Sequence, residues 1–119
     1  MPSFIFNSAV RDEATGAIDF DTDSFKVMLL TAAAAPNKDT WAKRSDVTNE
    51  VVGAGYTAGG AAVAVAVGAV DTANDRVDIS LGGATWANAT ITARYAVYYK
   101  ARGGAATADE LVAVNDFGA

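Results

Sequence analysis

Asp19-Phe20-Asp21-Thr22-Asp23 places a carboxylate at every second position. Such spacing can offer hard oxygen ligands to calcium. An EF-hand loop counted from Asp19 needs glycine at its sixth place and glutamate at its twelfth, and this chain has Ser24 and Leu30 there. The plainer account is a polar turn leading into the apolar run from Phe25, because aspartate side chains readily accept hydrogen bonds from the backbone just ahead of them. Asp19, Asp21 and Asp23 are kept as weak metal candidates, against an expectation of no metal and no cofactor.

A second acidic set is Asp46, Glu50, Asp71, Asp75 and Asp78. Paired carboxylates can hydrolyse glycosidic bonds when they face each other across a sugar. No spacing fixes any two of these at such a separation, and the simpler reading is solvated loop charge. The chain has no histidine and no cysteine. That removes the commonest general base, thiolate nucleophiles, thiolate zinc sites and disulfides. The run Gly53-Ala54-Gly55-Tyr56-Thr57-Ala58-Gly59-Gly60 lacks the Gly-Lys-Ser/Thr ending of a phosphate loop and the strand-to-helix setting of a dinucleotide site. It reads as extended chain with bends. No catalytic residue is assigned, and the expectation is a non-enzyme.

Aromatic groups on a polar strand face can contact partner proteins or sugars. Tyr98 shares a strand face with Arg94 and Lys100, whereas Tyr95 and Tyr99 fall on the apolar face. With Trp41 and Trp86, the interface candidates are therefore Trp41, Trp86, Arg94, Tyr98 and Lys100. Trp86 reads first as a core plug, since tryptophan is highly buried on average.

These side chains must be positioned by one domain spanning 1–119, because 119 residues suit a single core. Half of the residues are hydrophobic, but much of that share is alanine, which buries little area. Burial against copies of itself or against a lattice would make up the shortfall. The net charge is −5 with no basic run, which argues against nucleic acid and fits solubility or docking on a basic surface. The start has no basic region and no long apolar stretch before Arg11. The longest apolar segment, Gly59 to Val70, is too short to cross a bilayer. No membrane partner is expected, and the product is expected to be soluble in the cytoplasm where it is made.

Period-two alternation is the dominant pattern and reads as strands. Ile91–Lys100 has an apolar face of Ile91, Ala93, Tyr95, Val97 and Tyr99. Arg76–Leu81 puts Val77, Ile79 and Leu81 inward. Ala61–Val67 sets valines against alanines, and its strict alternation between glycines favours strand over helix. Phe25–Thr31 is apolar on both faces and reads as central, and Glu110–Phe117 is a fifth strand. Thr72–Arg76 reads as a hairpin turn. Ala32–Asn37 reads as a helical turn limited by Pro36, and Trp41–Val47 as a short helix or irregular crossing. The fold class is all-β: an antiparallel β-sandwich or jelly-roll-like barrel with short helical turns in loops.

Three segments in order carry a resemblance: Ile18-Asp-Phe-Asp-Thr-Asp-Ser-Phe-Lys-Val-Met-Leu-Leu-Thr31, Asp46-Val-Thr-Asn-Glu-Val-Val-Gly-Ala-Gly-Tyr-Thr-Ala-Gly-Gly60 and Trp86-Ala-Asn-Ala-Thr-Ile-Thr-Ala-Arg-Tyr-Ala-Val-Tyr-Tyr-Lys100, closed by Asp116-Phe-Gly118. Together they resemble a family of small virion proteins of tailed bacteriophages, often labelled tail-fibre proteins. The likeness runs from Ile18 to Gly118. Longer relatives are expected to add a final strand after Asp116-Phe-Gly118. The resemblance implies a structural role without catalytic residues. The first expectation is a capsid decoration or cement protein on the virion, assembled in the host cytoplasm. It would bridge major capsid protein subunits as a homotrimer. The alternative is a tail or tail-fibre component that contacts the host surface.

Overall fold

The computed structural model describes residues 3–117. Met1, Pro2, Ala119 and Gly118 of the closing motif lie outside the described residues. The fold is mainly β, with antiparallel sheets of five and two strands and one short α-helix. In chain order the elements are β1 (Phe4–Ile5), α1 (Asn7–Thr15), β2 (Phe25–Leu30), β3 (Ala61–Val63), β4 (Val65–Val67), β5 (Ile79–Leu81), β6 (Tyr95–Lys100) and β7 (Leu111–Asp116), with 3-10 turns at Arg44–Asp46 and Ala106–Ala108.

The main sheet has the order β1-β7-β6-β2-β3. β6 is the middle strand, and β2 lies between β6 and β3. β2 is apolar at every position but Lys26, so both its faces can be covered, as expected for an interior strand. Its register against β6 runs from Phe25↔Lys100 to Leu30↔Tyr95. β7 pairs with β6 until Tyr98↔Ala113 and then steps to Tyr99↔Leu111, leaving Val112 as the extra residue of a β-bulge.

Both faces of this sheet are covered largely by irregular chain. Phe6, Ala34 and Trp41 join Met28, Leu30, Tyr95 and Val97 in one cluster. On the other side Val51, Tyr56, Trp86, Ile91 and Ala93 pack on Val27, Leu29 and Ala96. Phe6, Leu30 and Leu111 are fully buried, each stabilising the fold by roughly 1.5–3 kcal/mol.

Several expectations need correction. The strand predicted over Ile91–Lys100 begins at Tyr95; Ile91 and Ala93 are instead partly buried loop residues packed on the sheet. The mostly polar face predicted for this strand is not polar: Ala96 is buried and Tyr98 half-buried, because β6 is the middle strand. Ala61–Val67 is not one strand. It breaks at Ala64, so that Val63 pairs with Phe25 in the main sheet while Val65 pairs with Leu81 in the hairpin. The turn at Thr72–Arg76 does join β4 to β5, closed by a bridge between Asp71 and Arg76. Yet Val77 and Ile79, predicted inward, are 45% and 40% exposed, and only Leu81 reaches the core cluster.

Helix α1 has no counterpart in the alternation pattern. It buries only Ala9 and has no side-chain cap at its start. Its end is well defined. Gly16 adopts φ 85°, and the N–H groups of Gly16 and Ala17 bond the carbonyls of Glu13 and Asp12. This is a Schellman closure, which a residue without Cβ adopts at no steric cost.

Candidate functional site

The Asp19–Asp23 segment folds into the polar turn the sequence suggested. Asp19 Oδ1 accepts from the Asp21 N–H at 2.9 Å, and Asp23 Oδ2 accepts from the Asp19 N–H at 2.8 Å. Asp23 also meets Lys100 Nζ at 2.8 Å. Burial opposes ionisation of Asp23, but the Lys100 contact and the Asp19 N–H outweigh it and hold the carboxyl below its ordinary value. The turn thus already employs two of its three carboxylates in backbone bonds. Among the described residues no group of three or more Asp, Glu, His or Cys is placed to hold a metal ion.

The second acidic set is dispersed. Asp46 accepts from the N–H groups of Ala42 and Lys43, which hold its carboxyl below the ordinary range. Asp71 accepts from Ala73, Asn74 and the Asn74 amide within the hairpin turn. Asp78 pairs with Arg76 at 3.4 Å in the exposed segment just before β5. Glu50 Oε2 takes the Tyr56 hydroxyl at 2.6 Å and the Gly59 N–H at 2.7 Å. The Tyr56 oxygen in turn accepts from the Leu29 N–H at 3.0 Å. Burial, followed by the bond to Glu50, pushes the Tyr56 phenol above its ordinary value. This chain of bonds staples the Glu50–Gly60 loop to β2.

The largest polar constellation lies where β6 passes into β7, and no motif in the sequence pointed to it. Asp109 and Glu110 are buried, at 2% and 4% exposure. Arg44 Nε contacts Asp109 Oδ2 at 2.6 Å, Arg102 donates to both oxygens of Glu110, and Lys43 stands 3.6 Å from Glu110. Arg44 also lies 5.4 Å from the centre of the Tyr99 ring. Buried carboxylates demand such partners, since an unpaired buried charge is very costly. The adjacency Asp109-Glu110 at a strand start, with Arg102 eight residues earlier across the turn, was the only sequence sign available. The arrangement fixes the turn and leaves no unengaged acid–base pair.

The interface candidates are spread over the molecule. Trp41 stacks on Phe6 on one side of the sheet, and Trp86 meets Tyr56 on the other, with ring centres 5.7 Å apart. Arg94 pairs with Asp116 at 3.2 Å and lies over Tyr95, at the opposite end of β6 from Lys100. Lys100 binds Asp23 and donates to the Ala17 carbonyl at 2.7 Å. Tyr98 is half-buried and touches both core clusters. Only Lys100 and the acidic turn are brought together; the two tryptophans, Arg94 and Tyr98 form no common patch.

Exposed apolar surface lies elsewhere. Ile5, Val10, Val67, Val70, Val77 and Ile79 are all exposed. The β4–β5 hairpin carries the last four, and its residues from Ala66 to Ser80 are exposed apart from Asp71. Its base is anchored, because Val65 and Leu81 pack on the main core. The sequence showed these valines and isoleucines but not that the hairpin leaves the sheet.

Compared with protein-family models, with curated proteins and with solved structures, the chain finds no match.

Proposed function

We propose that this chain is a structural protein of a tailed-phage virion, a decoration or cement subunit that bridges and stabilises neighbouring shell subunits. The observation that carries the reading is the combination of a core whose described buried side-chain polar atoms all have hydrogen-bond partners with a hairpin that exposes Val67, Val70, Val77 and Ile79. An isolated two-stranded ribbon is marginal in water. Clustered exposed apolar side chains mark contact surfaces. The ordered likeness of Ile18–Thr31, Asp46–Gly60 and Trp86–Lys100 to small virion proteins points the same way. Asp46, Asp71 and Asp78 are tied into turns and an ion pair, and Glu50 binds the Tyr56 hydroxyl; the proposal assigns the chain no reaction.

The sandwich architecture belongs to this proposal as well. The five-stranded sheet is one layer, and the second would be completed by β4–β5 together with strands of the shell subunits it bridges. Trimers at threefold positions let many weak contacts add.

The reading requires many copies per particle, comparable to the major shell protein. Gel densitometry of purified virions checks this. A handful of copies would transfer the chain to the tail, where labelled antibodies in electron micrographs would place it.

A further inference from the structure

Helix α1, edge strand β1 and the hairpin enclose an apolar depression of about 190 Å³ lined by Ile5, Ala9, Val10, Phe20, Ile79 and Leu81, among others. Ile5 and Val10 are 57% and 61% exposed. Large side chains gathered in water around one depression differ from the scattered exposed residues found on any surface.

The depression continues into a second one. The two share Glu13, Phe20 and Ile79, and the second adds Val67, Asp19 and Asp21. Among the described residues neither is lined by a lysine or an arginine. Lys100, the cation paired with this acidic turn, is held at Asp23 by its 2.8 Å contact. The result is an apolar floor with a rim of carboxylates.

Charge complementarity chooses the occupant. An acidic rim favours a partner whose apolar side chains are flanked by cations and disfavours one of like charge. A second copy of this chain carries a net charge of −5 and fits poorly. We propose that the groove between α1 and the β4–β5 hairpin docks an apolar segment flanked by lysine or arginine from another protein. That this protein is the shell subunit rests on the virion reading above.

The test uses the full chain, with methyl NMR signals of Ile5, Val10 and Ile79 as reporters. Three synthetic peptides serve as probes: leucine alternating with lysine, serine alternating with the same lysines, and leucine alternating with glutamate. The leucine–lysine peptide is expected to shift these methyls, and the other two to leave them. Val10→Asp, at an exposed position, is expected to weaken binding by at least about tenfold, the loss of one apolar anchor. Glu13→Lys combined with Asp21→Lys is expected to transfer the preference to the leucine–glutamate peptide.

Equal shifts with the serine–lysine peptide, shifts at other methyls, or none would overturn the proposal. So would a concentration-dependent dimer that protects the same methyls. A second arm measures retention on particles of the parent phage. Val10→Asp retained at full wild-type occupancy would overturn the groove as the shell contact and leave the virion reading standing. Wild-type protein missing from particles, with peptide binding intact, would overturn the virion reading and leave the groove.

Discussion

Arg102 holds Glu110 through two parallel hydrogen bonds, Nε to Oε1 at 2.8 Å and Nη2 to Oε2 at 2.7 Å, across the turn between β6 and β7. Bidentate pairing of this kind fixes direction as well as charge. Beside it the backbone closes in the same sense: Lys100 N–H donates to the Glu110 carbonyl at 2.8 Å, and Arg102 N–H donates to Asp109 Oδ1 at 2.9 Å. The Arg102 guanidinium and the Lys100 ammonium both reach the Ala17 carbonyl as well. The β6–β7 turn is therefore bound to the segment after α1. The short helix, weakly buried on its own account, is held at its far end by this ion-pair network.

The first prediction concerns acid. The Arg102 hydrogen bonds hold the Glu110 carboxyl down at about 2, from an ordinary value of 4.5. A carboxylate depressed in the folded state stabilises the fold above its unfolded value, and that contribution disappears as pH falls through the folded value. Stability should therefore decline between about pH 4.5 and pH 2. Arg102 is 41% exposed, so solvent screens the pair, and the loss attributable to Glu110 should be roughly 2 kcal/mol. Asp23 and Asp46 are also held low and add to the decline. Urea midpoints against pH for wild type and Glu110→Gln isolate the Glu110 share. The two curves should converge at the acid end. Parallel curves would show that the pair contributes nothing to the pH dependence.

The second prediction concerns close approach. Gly60 has φ 80°, and a Cβ built there would lie 1.7 Å from the Val27 carbonyl oxygen and 2.8 Å from Met28 Cα. No rotamer relieves this clash, because both neighbours are backbone of β2. Gly60→Ala must push the start of β3 off the sheet, at a cost of at least about 2 kcal/mol. Gly104 is the control: nothing lies within 4 Å of its added Cβ. Gly104→Ala should change the free energy of unfolding by no more than about 0.5 kcal/mol. Similar losses for both variants would remove the steric argument.

How far the sequence discloses this molecule depends on whether local pattern and tertiary role coincide. β2 and β7 are legible to within a residue or so, because their apolar runs are buried where they stand. The hairpin turn is legible from Thr72-Ala73-Asn74-Asp75. The break at Ala64 is not, because the chain stays extended on both sides and period two continues unchanged while the strand changes partners. β6 misleads for a different reason. Arg94 and Lys100 suggest a wet face, but they stand just before the strand and at its last residue, and reach Asp116 and Asp23, while Ala96 and Tyr98 between them are covered. α1 is polar over most of its nine residues and offers no apolar stripe. Gly16 after Asp12-Glu13-Ala14-Thr15 was its one readable mark. The groove was not legible at all, because Ile5, Val10 and Ile79 come from separate elements and are brought together only by the fold.

The last prediction separates arm from body. The β4–β5 ladder has three paired positions, from Val65↔Leu81 to Val67↔Ile79, and the hairpin beyond them is solvated on nearly every residue. β6 in contrast is paired on both sides and buried at Tyr95, Ala96, Val97 and Tyr99. Opening a ribbon of this kind exposes little apolar area, whereas exposing β6 requires unfolding the sheet. Amide hydrogen exchange should therefore run at least about a hundredfold faster at Ala66, Ser80 and Val67 than at Val97, by the range between local and global opening. Replacing residues 68–77 with a short glycine-containing turn should leave the protection at Val97 unchanged, because none of those residues packs in either core cluster. Equal protection in arm and body of the isolated chain would mean that the hairpin is stable by itself. Its exposed valines would then need no partner, and the reading of the arm as a contact element would lose its physical ground.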